Sequence, residues 1–177
     1  YPRLLLSSNA EIVRNADKVV LHGGKDHFTT IYGETKVFTE VVFPIRKRYS
    51  ESSMYDKLPV TKNYILFIGG YREEKGVENL LHLNYEDLDK YLLVIASKLP
   101  SNLSKRVKRK LVDRVILLED YLTDSQFSSL IVRASYGICP YISGTNSGVY
   151  STFLANNIPT ITSDTPLFKE IFVLEDL

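Results

Sequence analysis

Tryptophan is absent from the 177 residues, and cysteine and methionine occur once each. A lone Cys139 excludes an internal disulfide. Its place in the apolar run YGICPY predicts a buried thiol in a reducing compartment, hence an intracellular, cytoplasmic protein. Net charge is also scarce: 22 Lys+Arg against 21 Asp+Glu leave +1. No global field therefore recruits nucleic acid or a membrane, and any such partner must use a local patch. No apolar run approaches the ~20 residues of a membrane span, and YPRLLLSS is too short for a signal peptide. Repeats and low-complexity segments are missing, and no metal site or cofactor is expected. The first residue is Tyr rather than Met, which is compatible with a fragment.

What is present suits one globular domain, or one domain plus part of a second: 44% of residues are hydrophobic and 24% charged. Short β-rich apolar runs alternate with helical patterns, which predicts an α/β fold with a parallel sheet. In the first 45 residues, SSNAEIVRNA reads as a short helix with Ser8 and Glu11 in capping-box spacing. Strand KVVLH, a helical DHFTTIYG and strand VFTEVVF follow. Residues 46–62, RKRYSESSMYDKLPVTK, are polar, charged and proline-bearing, and read as a linker. A second block occupies residues 63–177. Its strands are YILFIGG, YLLVIAS, RVILLE, YGICPY and PTITS, and its helical candidates are VENLLHL, LSKRVKRKL, DSQFSSLIVRA and GVYSTFLANN. Right-handed crossovers would make this a Rossmann-like, doubly wound sheet with its ligand crevice at the carboxyl ends of the strands.

Two loops at those ends contain glycine. After YILFIGG, Gly69 and Gly70 permit a tight turn, and Arg72 and Lys75 bring positive charge beside a helix start. After YGICPY, the SGTNSG loop leads into a helix of residues 149–156, with Ser147 or Asn146 as its N-cap. Val149 with Phe153, and Tyr150 with Leu154, form (i, i+4) pairs expected to face the sheet. Together the loops would offer Lys75 and the amides of Ser147 and Gly148 to a phosphate. SGTNSG alone reads more simply as a helix-capping loop; joined to the lysine loop, ligand binding ranks first. A lysine at a helix start opposes the macrodipole, which favours a functional reason for Lys75 over a merely solvated one.

At these residues the chain resembles the carboxyl-terminal domain of a GT-B glycosyltransferase, most like glycosyltransferase family four. ILFIGGYREEKGVENLL is similar to that family's strand, G-R-x-x-x-x-K-G loop and helix. LEDYLTDSQFSSLIVRASYGICPYISG is similar to its strand, helix, "AD" turn and "P-S" strand, and PTITSDTPLFKEI to its P-V-I-A-S-D segment. Residues 15–45 resemble the last part of the partner amino-terminal domain and the crossing into the second. The resemblance implies a nucleotide-diphosphate sugar donor held at Gly69, Gly70, Arg72, Lys75, Ser147, Gly148 and Thr152. It also implies a glycan or lipid-linked acceptor in the companion domain, and retention of the donor's anomeric configuration. The family's E-x7-E glutamates fall here at Gly144 and Thr152, and its G-R arginine at Gly70, with Arg72 two residues later. Keeping the lysine while losing carboxylates preserves phosphate binding better than sugar positioning.

Other features stay open at this level. KRVKRK, with Lys105, Arg106, Lys108, Arg109 and Lys110, is either a solvated helix face or a peripheral contact for anionic lipid at the cytoplasmic face of a membrane. It is too local to imply nucleic acid. His22, ending a strand, is a base or sugar contact or an ordinary strand-end histidine; His27 and His82 read as structural. A non-catalytic nucleotide-binding or protein-interaction domain of the same fold is compatible with the lost carboxylates. So is an unrelated Rossmann-like binder using Asp87 or Asp89 on NAD, although no G-x-G-x-x-G accompanies them.

Overall fold

Long stretches of Val, Ile, Leu and aromatic residues, too short for buried helices and bounded by Gly, Pro or charge, become the strands of a parallel sheet. A computed structural model describes residues 13, 15, 19–21, 38–40, 49, 58, 63–84, 90–144 and 147–169. Strands β1 (Val19–Leu21) and β2 (Phe38–Glu40) pair in parallel as a small separate sheet. The main sheet holds β3 (Asn63–Ile68), β4 (Tyr91–Ala96), β5 (Val115–Leu118), β6 (Tyr136–Cys139) and β7 (Thr160–Thr162). All its pairings are parallel, in the order β5-β4-β3-β6-β7. Helices α1 (Ser101–Lys110), α2 (Asp124–Val132) and α3 (Gly148–Ala155) connect them, with a 3-10 turn at Glu73–Lys75 and a 3-10 helix at Val77–His82.

The two central strands show why their sequences are almost uniformly apolar. Side chains alternate between faces, so Tyr64, Leu66 and Ile68 join Leu92, Val94 and Ala96 against Leu130, Ile131, Tyr150 and Phe153 of α2 and α3. Ile65, Phe67, Leu93 and Ile95 point the other way, onto Val77, Leu80, Leu103 and Val107 of the 3-10 helix and α1. Both faces are covered, so neither register of the strand exposes a polar stripe. Helix α2 starts on a reciprocal capping box: the Gln126 amide donates to Thr123 Oγ1 at 3.3 Å and the Thr123 amide to Gln126 Oε1 at 2.9 Å.

The five-strand alternation and the expected strands thus appear as read, while three details differ. VENLLHL forms a 3-10 helix rather than an α-helix. Gly76, left-handed at φ 61°, caps it, and the Asn79 amide closes a tight i→i+3 bond on the Gly76 carbonyl at 2.9 Å. Leu154, expected to face the sheet, is 40% exposed; Tyr150, Thr152, Phe153 and Ala155 take the inward side of the short α3, and Leu154 falls outside that arc. Within the expected linker, Tyr49 and Leu58 are the described residues, and both are anchored. Leu58 is buried in the core, and the Tyr49 ring meets Phe127 edge-on at 5.8 Å while its amide donates to Asn156 Oδ1 at 2.7 Å. Of the helical reading of residues 7–16, only Val13 and Asn15 are described, and both are helical; the helical reading of residues 26–33 lies outside the described residues.

Gly137 in β6 has no side chain because Phe153 occupies that space: a Cβ would fall 2.5 Å from the ring. Gly137→Ala should therefore destabilise the fold by about 1–3 kcal/mol, as overpacking does. A urea midpoint that does not move would show that the Phe153 ring yields freely.

Candidate functional site

The strand order reverses at one place. From β3 the chain moves through β4 to β5 on one side, whereas β6 and β7 lie on the other. Connections leaving β3 and β6 diverge, which opens a crevice at the carboxyl ends of these two neighbours. The two Gly-containing loops, after Ile68 and after Cys139, emerge there.

Backbone contacts fix the loops against each other. The Glu74 carbonyl accepts the Ile142 amide at 2.8 Å. Gly76 lies so close to β6's exit that a Cβ would stand 2.1 Å from the Pro140 carbonyl oxygen, and Asn79 Nδ2 donates to that same oxygen at 3.1 Å. Gly69, at φ 126°, holds its amide on the Ala96 carbonyl at 3.1 Å. A Cβ on Gly69 would be 3.0 Å from Lys75 Nζ and 3.4 Å from Val149 Cγ2. The lysine ammonium, the glycine turn and the first turn of α3 therefore converge at one point.

Lys75 is the electrostatic centre of this arrangement. It is half-buried and has no carboxylate within ion-pair distance among the described residues. Burial, reinforced by the Arg72 charge, lowers its pKa below that of an ordinary lysine; the Glu74 charge acts weakly in the other direction. Arg72 itself is exposed and makes a loose pair with Glu74 at 3.5 Å. Cys139 is fully buried, and burial pushes its thiol up to about 12, so it remains neutral and packs as an apolar group.

Ser147 is the N-cap of α3. Its Oγ accepts the Tyr150 amide at 3.1 Å and shares a 3.0 Å hydrogen bond with Tyr141 Oη, which leaves the hydroxyl engaged. The capping reading of this loop is therefore correct. Among the described residues no hydrogen bond takes the Gly148 or Val149 amide, and the first turn has no acidic side chain. Thr152 is buried with Oγ1 donating to the Gly148 carbonyl at 2.6 Å, so its hydroxyl lies within the helix. Gly144 has φ 148°, a conformation side chains rarely adopt.

Of the residues singled out from sequence, the fold brings Gly69, Lys75 and the Ser147–Gly148 helix start together. Gly70 and Arg72 sit on the exposed rim, Gly70 with open space where a side chain would begin. Sequence reasoning missed Gly76 and Tyr141. The first had a signal, a glycine directly after the lysine and before an apolar helical run; the second had none, because its role is a hydrogen bond six residues along. His82 is exposed, and His22, His27, Asp87, Asp89 and Asn146 lie outside the described residues. No group of three or more potential metal ligands occurs among the described residues, and no helix there is long and apolar enough to cross a membrane.

No protein-family model and no curated protein sequence matches the chain. Solved structures do. Sucrose-phosphate synthase from Thermosynechococcus elongatus superposes with a TM-score of 0.69 at 16% identity, over 92% of this chain and 44% of that one. WaaG, a glycosyltransferase involved in lipopolysaccharide biosynthesis, gives 0.66 at 17% identity, over 89% and 47%. Anabaena HepE, solved with UDP and glucose, gives 0.72 at 10% identity, over 97% and 51%. The chain thus spans about half the length of the structures it matches. At these identities the likeness establishes the fold, the Rossmann-like carboxyl-terminal architecture of GT-B glycosyltransferases.

Gly76 should tolerate no side chain. Gly76→Ala meets backbone rather than a movable group and strains a left-handed φ, so a loss of about 1–3 kcal/mol is expected, read from the denaturation midpoint. An unchanged midpoint would mean that the two loops are not locked through this contact.

Proposed function

We propose that the crevice binds the diphosphate of a nucleotide sugar, and that this chain is the donor-binding half of a glycosyltransferase acting on a glycan or lipid-linked acceptor. In this reading residues 63–177 are the donor domain, 46–62 its linker, and 1–45 part of the acceptor-binding companion. The observation that carries it is the convergence of Gly69, the Lys75 ammonium, which has no ion-pair partner among the described residues, and the first turn of α3 at the strand-order switch. In sugar transfer the bond from the anomeric carbon to the diphosphate breaks, and negative charge grows on the departing phosphate oxygens. A fixed cation and a helix start stabilise that charge without having to reorganise. HepE's capture with UDP and glucose supports a uridine nucleotide as the first ligand to try. Retention of configuration rests on the family resemblance. No cofactor beyond the donor substrate is needed.

A second reading has its own observation. The positions of the resembled glutamates are a glycine in a left-handed conformation and a threonine bonded inside α3. A domain that binds the nucleotide but does not transfer sugar would have no use for carboxylates there. Because a water-excluding cleft needs two walls, the isolated chain should bind donor while transferring sugar weakly or not at all. Robust transfer by the 177 residues alone would contradict this.

Calorimetric titration tests the binding claim. Lys75→Ala should weaken UDP by about 1–3 kcal/mol, the range for a hydrogen bond to a charged group. Gly70→Arg, which has room, should tighten it. The wild type should lose affinity relative to Lys75→Arg as pH rises, because its lysine deprotonates below the usual lysine range whereas arginine stays charged. A folded wild type that binds no nucleotide, or equal affinity in Lys75→Ala, would overturn the assignment.

A further inference from the structure

We propose that the outward face of α1 docks the chain on an anionic lipid surface. This involves different residues from the crevice and stands whether or not a nucleotide binds there. In a chain whose formal charge is only +1, the ten residues of α1 carry Lys105, Arg106, Lys108, Arg109 and Lys110 and no carboxylate. Leu103, Ser104 and Val107 are buried beneath it. At about 100° per residue, Lys105 and Arg109 lie about 40° apart on the opposite side, with Arg106 and Lys108 to either hand and Lys110 further round. All five cations are exposed. Lys108 meets Glu119 at 2.9 Å, a carboxylate that also accepts from Ser104 Oγ at 3.1 Å. Lys105, Arg106, Arg109 and Lys110 have no ion-pair partner among the described residues.

An ordinary solvated face interleaves the two signs, so that (i, i+4) neighbours attract. Here Lys105 with Arg109, and Arg106 with Lys110, are like-charge neighbours that repel. An opposing anionic surface relieves that repulsion. Val112 separates a bilayer from other polyanions: it is apolar, 61% exposed and lies in the turn just past the end of α1, where it can enter the headgroup region. The face is convex and one helix wide, and α1 contains no aromatic residue on which a base could stack, so it is a poor nucleic-acid platform. The helix covers one face of the sheet, whereas the crevice opens at the strand ends. Docking through α1 therefore leaves the crevice open alongside the bilayer.

Sedimentation of the 177-residue chain with vesicles tests this. It should partition onto phosphatidylcholine vesicles containing phosphatidylglycerol, not onto phosphatidylcholine alone, and release as salt rises. At roughly fivefold per surface cation, Lys105→Glu/Arg109→Glu should lower partition at least ~25-fold with an unchanged circular-dichroism spectrum. Val112→Ser should cause a smaller loss that salt does not abolish. Equal binding to neutral vesicles, or undiminished partition of the double variant, overturns the proposal. So does equal capture by a single-stranded RNA oligonucleotide at the same salt, which would make the face an unselective polyanion site.

Discussion

The contact between Gly76 and the Pro140 carbonyl holds the two halves of the crevice in one geometry. A backbone oxygen cannot swing aside as a side chain can, so the 2.1 Å that a Cβ would leave makes glycine obligatory there. The left-handed turn at Gly76 also separates two stretches of 3-10 structure. It turns the Lys75 loop back over β6, where the Glu74 carbonyl receives the Ile142 amide. Were the two strand ends not bound by this seam, Lys75 and the start of α3 would belong to independent loops.

Electrostatically the site is unusual for what it leaves uncompensated. Lys75 is half-buried beside another cation, with no carboxylate within ion-pair distance among the described residues, an arrangement that depresses its pKa and costs folding energy. In the proposed function a phosphate would favour such an ammonium again, and the start of α3 would add to the same field. Gly144 and Thr152 contribute a backbone conformation and an internal helix bond rather than charge, which in the proposed function would shift the weight of recognition from the sugar onto the phosphates.

The linker-region residues join this scheme at the far end of α3. Asn156 accepts the Tyr49 amide while its Nδ2 donates to the Thr152 carbonyl. One side chain thus closes the helix whose other end faces the crevice and fastens Tyr49 to it.

The alternation of strand and helix, the Ser147 cap and the buried thiol were legible in the sequence because each depends on local propensity, periodicity or a short-range hydrogen bond. The runs YILFI and YLLVIA state that both sheet faces are covered, whatever the order of the strands. Local pattern also nominated Lys75 and the glycines beside it. It could not show that β3 and β6 are neighbours, that Gly76 meets Pro140, or that Leu154 turns outward, since these depend on packing between residues distant in the chain or on the edge position of a short helix. Nor could it tell that Thr152, aligned with a glutamate of the resembled family, has its hydroxyl bonded within α3. The sequence by itself determined which segments are strands and which residues carry charge. Only the tertiary structure decided which of those charges share a crevice, because strand order is set by burial of whole faces and by close backbone approach, and neither is encoded in any one segment.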